Sequence, residues 1–415
     1  MPYARACSRF PVMSLSVGSG VRMATAMLLF WCVAVPSPVA AQMRNGEFSS
    51  QQKKPAAKPA PAAGPKKKAG PPPRENFTLA EQNAAVIPDI PDARFFADSD
   101  ADFVRALPTS LGPWLALSSG GDDGAFGTGV LTGMAESGKR PDFTMVTGVS
   151  TGALMAPFVF SGAKYDGPLR DAYTTITAAD IFELGAKGES FFDTWPLKDL
   201  IAKRVTAGLL NDIAAEHRRG RRLFVITTNV DAGRPVAWNM GAIAAKGGDK
   251  ALKLFRDILL AASAIPGAFP PVLIDVEAGG HKFQEMHADG GLKYQFFVAP
   301  EKLLWSNTTF RLPATDLYVV INTRLEPNFA PTERDTLSIL NRGVAIGVKT
   351  LTRIMIDQAY AAAKRNGIGF HLATIDPKFN APSRGAFDPD YMKALFNFGS
   401  EQAKTGLAFR NEPRN

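Results

Sequence analysis

Residues 114–131 read Trp-Leu-Ala-Leu-Ser-Ser-Gly-Gly-Asp-Asp-Gly-Ala-Phe-Gly-Thr-Gly-Val-Leu, and residues 142–154 read Asp-Phe-Thr-Met-Val-Thr-Gly-Val-Ser-Thr-Gly-Ala-Leu. In each stretch a short apolar run enters a glycine-bearing turn and then a segment typical of a helix. This pattern predicts a strand, a tight turn and a helix, twice. Strand and helix patterns continue to alternate along the chain, which predicts an α/β three-layer sandwich with a largely parallel central sheet.

The second turn places Ser150 between Gly148 and Gly152 in the pattern Gly-x-Ser-x-Gly. Such spacing allows a serine to occupy a sharp strand-to-helix elbow without collision of side chains. Its hydroxyl then stands above the sheet, at the positive end of the helix dipole. The alternative is a glycine-lined turn in which the serine only packs. Ser150 is therefore a candidate nucleophile.

The first turn contains Gly120, Gly121 and Gly124 around Asp122. Glycines at a helix start leave backbone N–H groups unobstructed, as an oxyanion hole requires. The competing interpretation is a phosphate-binding loop. It fails because the stretch has no Gly-Lys-Ser/Thr ending and because Asp122 and Asp123 would repel phosphate.

The formal charge of +8 over 415 residues is concentrated at the beginning of the chain. Residues 1–75 hold 11 of the 47 basic residues and two of the 39 acidic ones, so the other 340 residues carry 36 against 37. The predicted folded part is thus nearly neutral. No nucleic-acid surface is expected on it.

An apolar run at residues 24–35 follows Arg22 and precedes Val-Ala-Ala at 39–41. This is typical of a cleaved export signal, predicted here as residues 1–41. A membrane anchor is the weaker alternative, since twelve residues are too few to span a bilayer. Export without disulfides favours a bacterial periplasm, cell envelope or secreted location. Both cysteines, Cys7 and Cys32, fall in the signal, so no cysteine nucleophile or cysteine metal site is expected.

Residues 42–95, rich in Pro, Ala and Lys at their centre, are predicted to be a disordered linker, and residues 96–415 a single hydrolase domain. The linker is interpreted as a solvated spacer. The alternative is that its cations contact an anionic envelope surface.

Two later stretches also stand out. Residues 262–272 form a dense turn fixed by prolines, and His287-Ala-Asp289-Gly290-Gly291 places an acid at a predicted strand end. An aspartate before two glycines is usually a turn former. By itself this motif leaves a catalytic role for Asp289 open.

In order, these four motifs resemble those of the patatin-like lipid acyl hydrolases, which include bacterial phospholipases. The resemblance runs from about Trp114 to the residues near Met392. It implies a dyad in which Ser150 attacks an acyl ester and Asp289 is the general base, without a catalytic histidine. It also implies that the Gly120–Gly124 turn holds the oxyanion, that no metal or other cofactor is needed, and that the substrate is a lipid or acyl ester.

Two residues depart from the family pattern. Ser119 stands where a third leading glycine is usual, and Asp123 stands where Arg or Lys is usual. A carboxylate that pointed inward would oppose oxyanion charge. We expect Asp122 and Asp123 to point to solvent instead and to favour the helix N-terminus.

Two other functions remain open on the sequence. One is a Ser-His-Asp hydrolase, in which an acid and then a histidine follow Ser150 in the chain. His371 is best placed for this, but we expect it and the other three histidines to be structural: His217, His281 and His287. The other function is a non-catalytic envelope-binding protein that is tethered by the basic linker. The sequence predicts no oligomeric state.

Overall fold

The computed structural model describes residues 73–185, 190–305, 307–327, 329 and 331–413. The predicted export signal and most of the predicted linker lie outside these residues. Within them, no helix combines the length and the apolar character needed to cross a bilayer.

Strands and helices alternate through the described chain. The strands are β1 Arg94–Phe96, β2 Gly112–Leu117, β3 Met145–Val149, β4 Glu183–Leu184, β5 Phe192–Asp193, β6 Arg222–Asn229, β7 Arg234–Asn239, β8 Val272–Ala278, β9 His281–Asp289, β10 Ala314–Ile321 and β11 Gly369–Thr374. The helices are α1 Leu79–Ala84, α2 Asp100–Arg105, α3 Gly124–Glu136, α4 Thr151–Phe160, α5 Asp166–Thr174, α6 Trp195–Arg204, α7 Ala207–Arg218, α8 Met240–Lys246, α9 Gly248–Ala262, α10 Glu301–Leu304, α11 Thr336–Asn366 and α12 Pro389–Thr405.

The main sheet has the order β1-β7-β6-β3-β2-β10-β11. The strands from β6 to β11 in this order are parallel to one another. Strand β7 pairs antiparallel with β6, and β1 pairs antiparallel with β7. Strand β9 pairs antiparallel with the end of β6 and with β8. Strands β4 and β5 pair antiparallel in a separate two-stranded sheet. Parallel strands at the centre and helices around them confirm the predicted α/β fold class.

Alternate residues of the central strands enter two different cores. Leu115 and Val146 belong to the core that also contains residues of α3, α4 and α12, while Trp114 and Met145 belong to the core under α11. Successive side chains of a strand point to opposite faces, so the sheet is covered on both sides. This is the three-layer arrangement.

Local signals define the ends of the two long C-terminal helices. Asp335 caps α11 by accepting hydrogen bonds from the N–H groups of Leu337 and Ser338, and Gly367 ends it in the left-handed conformation. Helix α11 runs without interruption from Thr336 to Asn366. Asp388 caps α12 in the same way.

The predicted linker boundary at residue 95 is wrong. Residues 73–95 pack on the domain: Phe77 stacks on Phe283 with ring centroids 4.5 Å apart, and Arg74 forms an ion pair with Asp231. Arg94, in β1, forms a buried ion pair with Glu285. The composition of the preceding segment does not indicate these contacts, because Arg74, Phe77 and Arg94 each pair with a residue far along the chain.

Candidate active site

Strand β6 brings the two predicted catalytic residues to one place. Val149, the last residue of β3, pairs with Ile226, and Asp289, the last residue of β9, pairs with the next residue, Thr227. Strand β9 therefore continues along β6 where β3 stops. Ser150 directly follows β3, and it lines one cavity together with Asp289.

Ser150 occupies a strained elbow between β3 and α4. Its backbone has φ 53° and ψ −123°, a conformation that non-glycine residues rarely adopt outside functional sites. A Cβ on Gly148 would lie 2.4 Å from the carbonyl oxygen of Gly152, and one on Gly152 would lie 2.4 Å from that of Leu117. Both glycines are therefore required for this turn to pack.

Asp289 is only 5% exposed. Its Oδ1 accepts a 2.7 Å hydrogen bond from the N–H of Gly291. Burial raises the pKa of Asp289 to about 6, and the hydroxyl of Ser150 and the N–H of Gly291 oppose this rise. The next residue, Gly290, packs so closely that a Cβ would lie 2.5 Å from the carbonyl oxygen of Ile226.

The predicted oxyanion turn is a short 3₁₀ helix, Gly121–Asp123, which leads into α3. Gly121 and Asp122 are the first residues of this helix, so their N–H groups have no acceptor within it. Gly120, Gly121 and Asp122 line the cavity. Gly124 was predicted as a further donor, but its N–H donates to the carbonyls of Gly121 and Asp122. Because the turn itself uses this N–H, Gly124 is not an oxyanion donor.

Asn322, which no sequence motif indicates, supports this turn. Gly120 has φ 155°, and a Cβ there would lie 2.0 Å from the carbonyl oxygen of Asn322. The Asn322 side chain donates to the carbonyl of Ser118 and accepts from the N–H of Gly127. Asn322 follows β10, which neighbours β2 in the sheet, so only the strand order could have indicated it.

Ser119 and Gln295 join the oxyanion turn to the turn after Asp289. The hydroxyl of Ser119 donates to Oε1 of Gln295 at 2.5 Å, and Nε2 of Gln295 donates to the carbonyl of Gly291 at 2.6 Å. Ser119, which stands where the family usually has a third glycine, thus forms a hydrogen bond with Gln295. Gln295 carries no motif that the sequence analysis could have used.

The expectation that Asp122 and Asp123 point to solvent is wrong. Oδ2 of Asp122 accepts a 2.9 Å hydrogen bond from the N–H of Phe387, and Oδ1 of Asp123 accepts one of 2.6 Å from the hydroxyl of Tyr391. Burial, and then the charge of Asp122, raises the pKa of Asp123 to about 7. The segment before α12 covers this loop, an arrangement that only long-range packing creates.

The four histidines lie away from the cavity lining that the structure describes. His287 is buried, with Nδ1 hydrogen-bonded to Thr227 and Nε2 to Glu285, and burial lowers its pKa. His281 pairs with Glu81 and His371 with Asp316, and His217 packs on Gly241. The Ser-His-Asp alternative therefore has no suitably placed histidine.

The cavity is about 360 Å³ and mostly apolar. Polar lining groups come from the turns already described, and its described lining contains no Lys or Arg. A second cavity of about 100 Å³ also reaches Ser150 and Gly121, and it is lined by apolar side chains such as Leu154, Phe158 and Leu197. The described residues include no group of three or more His, Cys, Asp and Glu side chains arranged to hold a metal ion.

Residues 115–300 match the family model of patatin-like phospholipases, which confirms the predicted resemblance over that range. The range includes the turn at Gly120, Ser150 and Asp289. The matched segment therefore resembles the patatin-like phospholipase domain. Among solved structures, VipD from Legionella pneumophila is similar with a TM-score of 0.38 and 12% identity, over 72% of this chain and 67% of that one. No curated protein sequence matches the chain significantly.

Proposed function

We propose that this protein is a serine hydrolase of carboxylic esters that releases fatty acids from lipids, of phospholipase A, lysophospholipase or esterase type. One observation carries the proposal: the strained elbow of Ser150 and the buried carboxylate of Asp289 line the same apolar cavity, and the hydroxyl of Ser150 acts on the pKa of that carboxylate. The match at residues 115–300 supports the same class.

Acylation begins when Oγ of Ser150 attacks the ester carbonyl carbon and its proton passes to Asp289. A carboxylate with a pKa of about 6 is mostly ionised at pH 7 and can accept this proton. The N–H groups of Gly121 and Asp122 stabilise the negative charge that develops on the carbonyl oxygen. Collapse of the intermediate breaks the ester bond, and Asp289 returns the proton to the leaving alcohol.

Deacylation uses the same residues with water as the nucleophile. Asp289 takes a proton from water, the hydroxide attacks the acyl-serine, and the proton returns to Oγ of Ser150 as the fatty acid leaves. The apolar walls exclude bulk water and accept the hydrocarbon chain. We include export to the periplasm, envelope or medium in this proposal on the strength of the N-terminal signal pattern.

Fatty-acid release tests the proposal on phospholipids, lysophospholipids and short acyl esters. The wild type should release acid, whereas Ser150→Ala and Asp289→Asn should reduce kcat by roughly 10³-fold or more. Substituting each of the four histidines should not eliminate turnover. If the wild type and Ser150→Ala are equally inert on every ester, the hydrolase proposal fails and the tethered envelope-binding function takes its place.

A further inference from the structure

The two halves of helix α11 have different environments. All of its buried side chains lie in the C-terminal half, namely Thr352, Ile356, Ala359, Ala362 and Ala363. The half before them, residues 336–351, has no buried side chain. Its inner face, with Val344, Val348 and Leu351, borders the cavity that contains Ser150. This half of α11 is therefore a wall of the active-site cavity with its other side in solvent.

That solvent side carries exposed isoleucines. Ile339 is 58% exposed and Ile346 is 53% exposed. Together with Arg342 and Arg353 they recur at spacings of three, four and seven residues, which places all four on one face of the helix. Large apolar side chains on an exposed face cost free energy unless another surface covers them.

Further exposed apolar side chains occur on other elements at the cavity. Leu292 borders the cavity directly and is 43% exposed. Phe182, which precedes β4, and Phe192, in β5, enter the cavity lining, while Leu184, in β4, is exposed. Exposed apolar side chains thus occur on several elements that also line the cavity.

The charge of this part of the chain indicates what covers it. Residues 334–353 contain four basic residues and one acidic residue, a net charge of +3, whereas the other residues of 76–415 carry 32 basic against 36 acidic residues. A helix with exposed apolar side chains flanked by arginine and lysine is typical of a segment that lies on an anionic lipid surface. Another protein would need a complementary shape, whereas a lipid surface needs only apolar side chains and cations.

We propose that the outer face of residues 336–353, together with the exposed apolar side chains at the cavity rim, docks this protein onto an anionic lipid surface. The cavity then opens toward the hydrocarbon, so an acyl chain reaches Ser150 without crossing water. This use of the surface rests on the proposed function, but the docking itself does not need catalysis. It is therefore measured in a Ser150→Ala background.

The variants place charge on the docking face or on a matched site elsewhere. Ile339→Asp with Ile346→Asp alters the face. Leu111→Asp is the control, because Leu111 is 67% exposed and precedes β2, at the opposite end of the sheet from Ser150. All variants keep the basic residues near the N-terminus, so the contribution of those residues to vesicle binding is the same in each.

Sedimentation with vesicles of phosphatidylglycerol and phosphatidylcholine gives the binding result. The double variant should bind about tenfold or more weakly than its parent, while Leu111→Asp should bind like the parent. With Ser150 intact, both variants should hydrolyse a soluble short-chain ester as fast as the wild type. Only the double variant should lose turnover on vesicles, which separates docking from chemistry.

The proposal is overturned if the double variant binds the vesicles as tightly as its parent, or if Leu111→Asp loses as much binding. The variant Ile339→Ser with Ile346→Ser is measured alongside. If the two aspartates also reduce turnover of the soluble ester, vesicle binding by the serine variant decides the question instead. A wild type that hydrolyses no ester at all would refute the proposed function. In that case the sedimentation result would still decide whether this surface binds lipid.

Discussion

The carboxylate of Asp123 accepts a 2.6 Å hydrogen bond from the hydroxyl of Tyr391, 268 residues further along the chain. Helix α12, which contains Tyr391, packs tightly on α3. A Cβ on Gly129 or Gly133 would lie within 2.4 Å of a carbonyl oxygen in α12. Close packing of these two helices therefore positions the segment that holds the acidic residues of the oxyanion turn.

Asp123→Asn should stabilise the protein more at pH 8 than at pH 5. Burial raises the folded-state pKa of Asp123 to about 7, above its ordinary value of 3.8, so the native state binds the extra proton between these values. The contribution of Asp123 to stability therefore falls as pH rises through this window and is lowest above pH 7. Asparagine does not titrate and can still accept from Tyr391. Thermal unfolding at the two pH values measures the difference in Tm between variant and wild type.

Asp249→Asn is the control for this comparison, since Asp249 is exposed. Its difference in Tm from the wild type should be the same at both pH values. Equal stabilisation by Asp123→Asn at pH 5 and pH 8 would show that Asp123 does not ionise in this window.

The acid limb of the pH–activity profile should report Asp289. Only the ionised carboxylate can accept the proton of Ser150, so kcat/KM on a soluble ester should rise with pH and level off above about 6. The limb should persist in Asp123→Asn, because that substitution leaves Asp289 unchanged. A profile that is already flat between pH 4.5 and 7 would contradict a buried carboxylate as the base.

Gly120→Ala should impair the oxyanion turn far more than Gly121→Ala. A Cβ on Gly120 would lie 2.0 Å from the backbone oxygen of Asn322, whereas one on Gly121 meets nothing within 4 Å. Gly121→Ala brings only the strain of a left-handed residue, roughly 1–2 kcal/mol. Gly120→Ala should displace the donors and reduce kcat by about 10²- to 10³-fold. Steady-state kinetics on one soluble ester compare the two, and equal losses would mean that contact with Asn322 does not position the turn.

Glu285→Gln should destabilise the fold strongly. Glu285 is fully buried, and its carboxylate accepts hydrogen bonds from Arg94, at 2.8 Å from Nη2, and from Gln82. Glu285→Gln leaves the guanidinium of Arg94 buried without its counter-charge, which costs about 3–5 kcal/mol. Urea unfolding gives this free energy. The exposed pair of Lys253 with Asp257 is the control, and Lys253→Ala should change stability by only about 0.5 kcal/mol.

Local motifs predicted a large part of the candidate site. Gly148 and Gly152 predict an elbow at Ser150. The structure has that elbow, and only glycine fits at these two positions because a Cβ at either would lie 2.4 Å from a backbone oxygen. The roles of Ser119 and Asp123 were not predictable. Their contacts with Gln295 and Tyr391 depend on which distant segments pack against one turn.

The sequence by itself determined the strand-turn-helix units, the glycine turns and the order of the four motifs, because periodicity and glycine requirements act over a few residues. The tertiary structure decided that Asp289 lies beside Ser150, since the register of β9 on β6 arises from pairing between distant strands. It also decided the partial burial of Asp123 and the exposed face of α11. Burial depends on everything that packs around a side chain, and no local pattern contains that information.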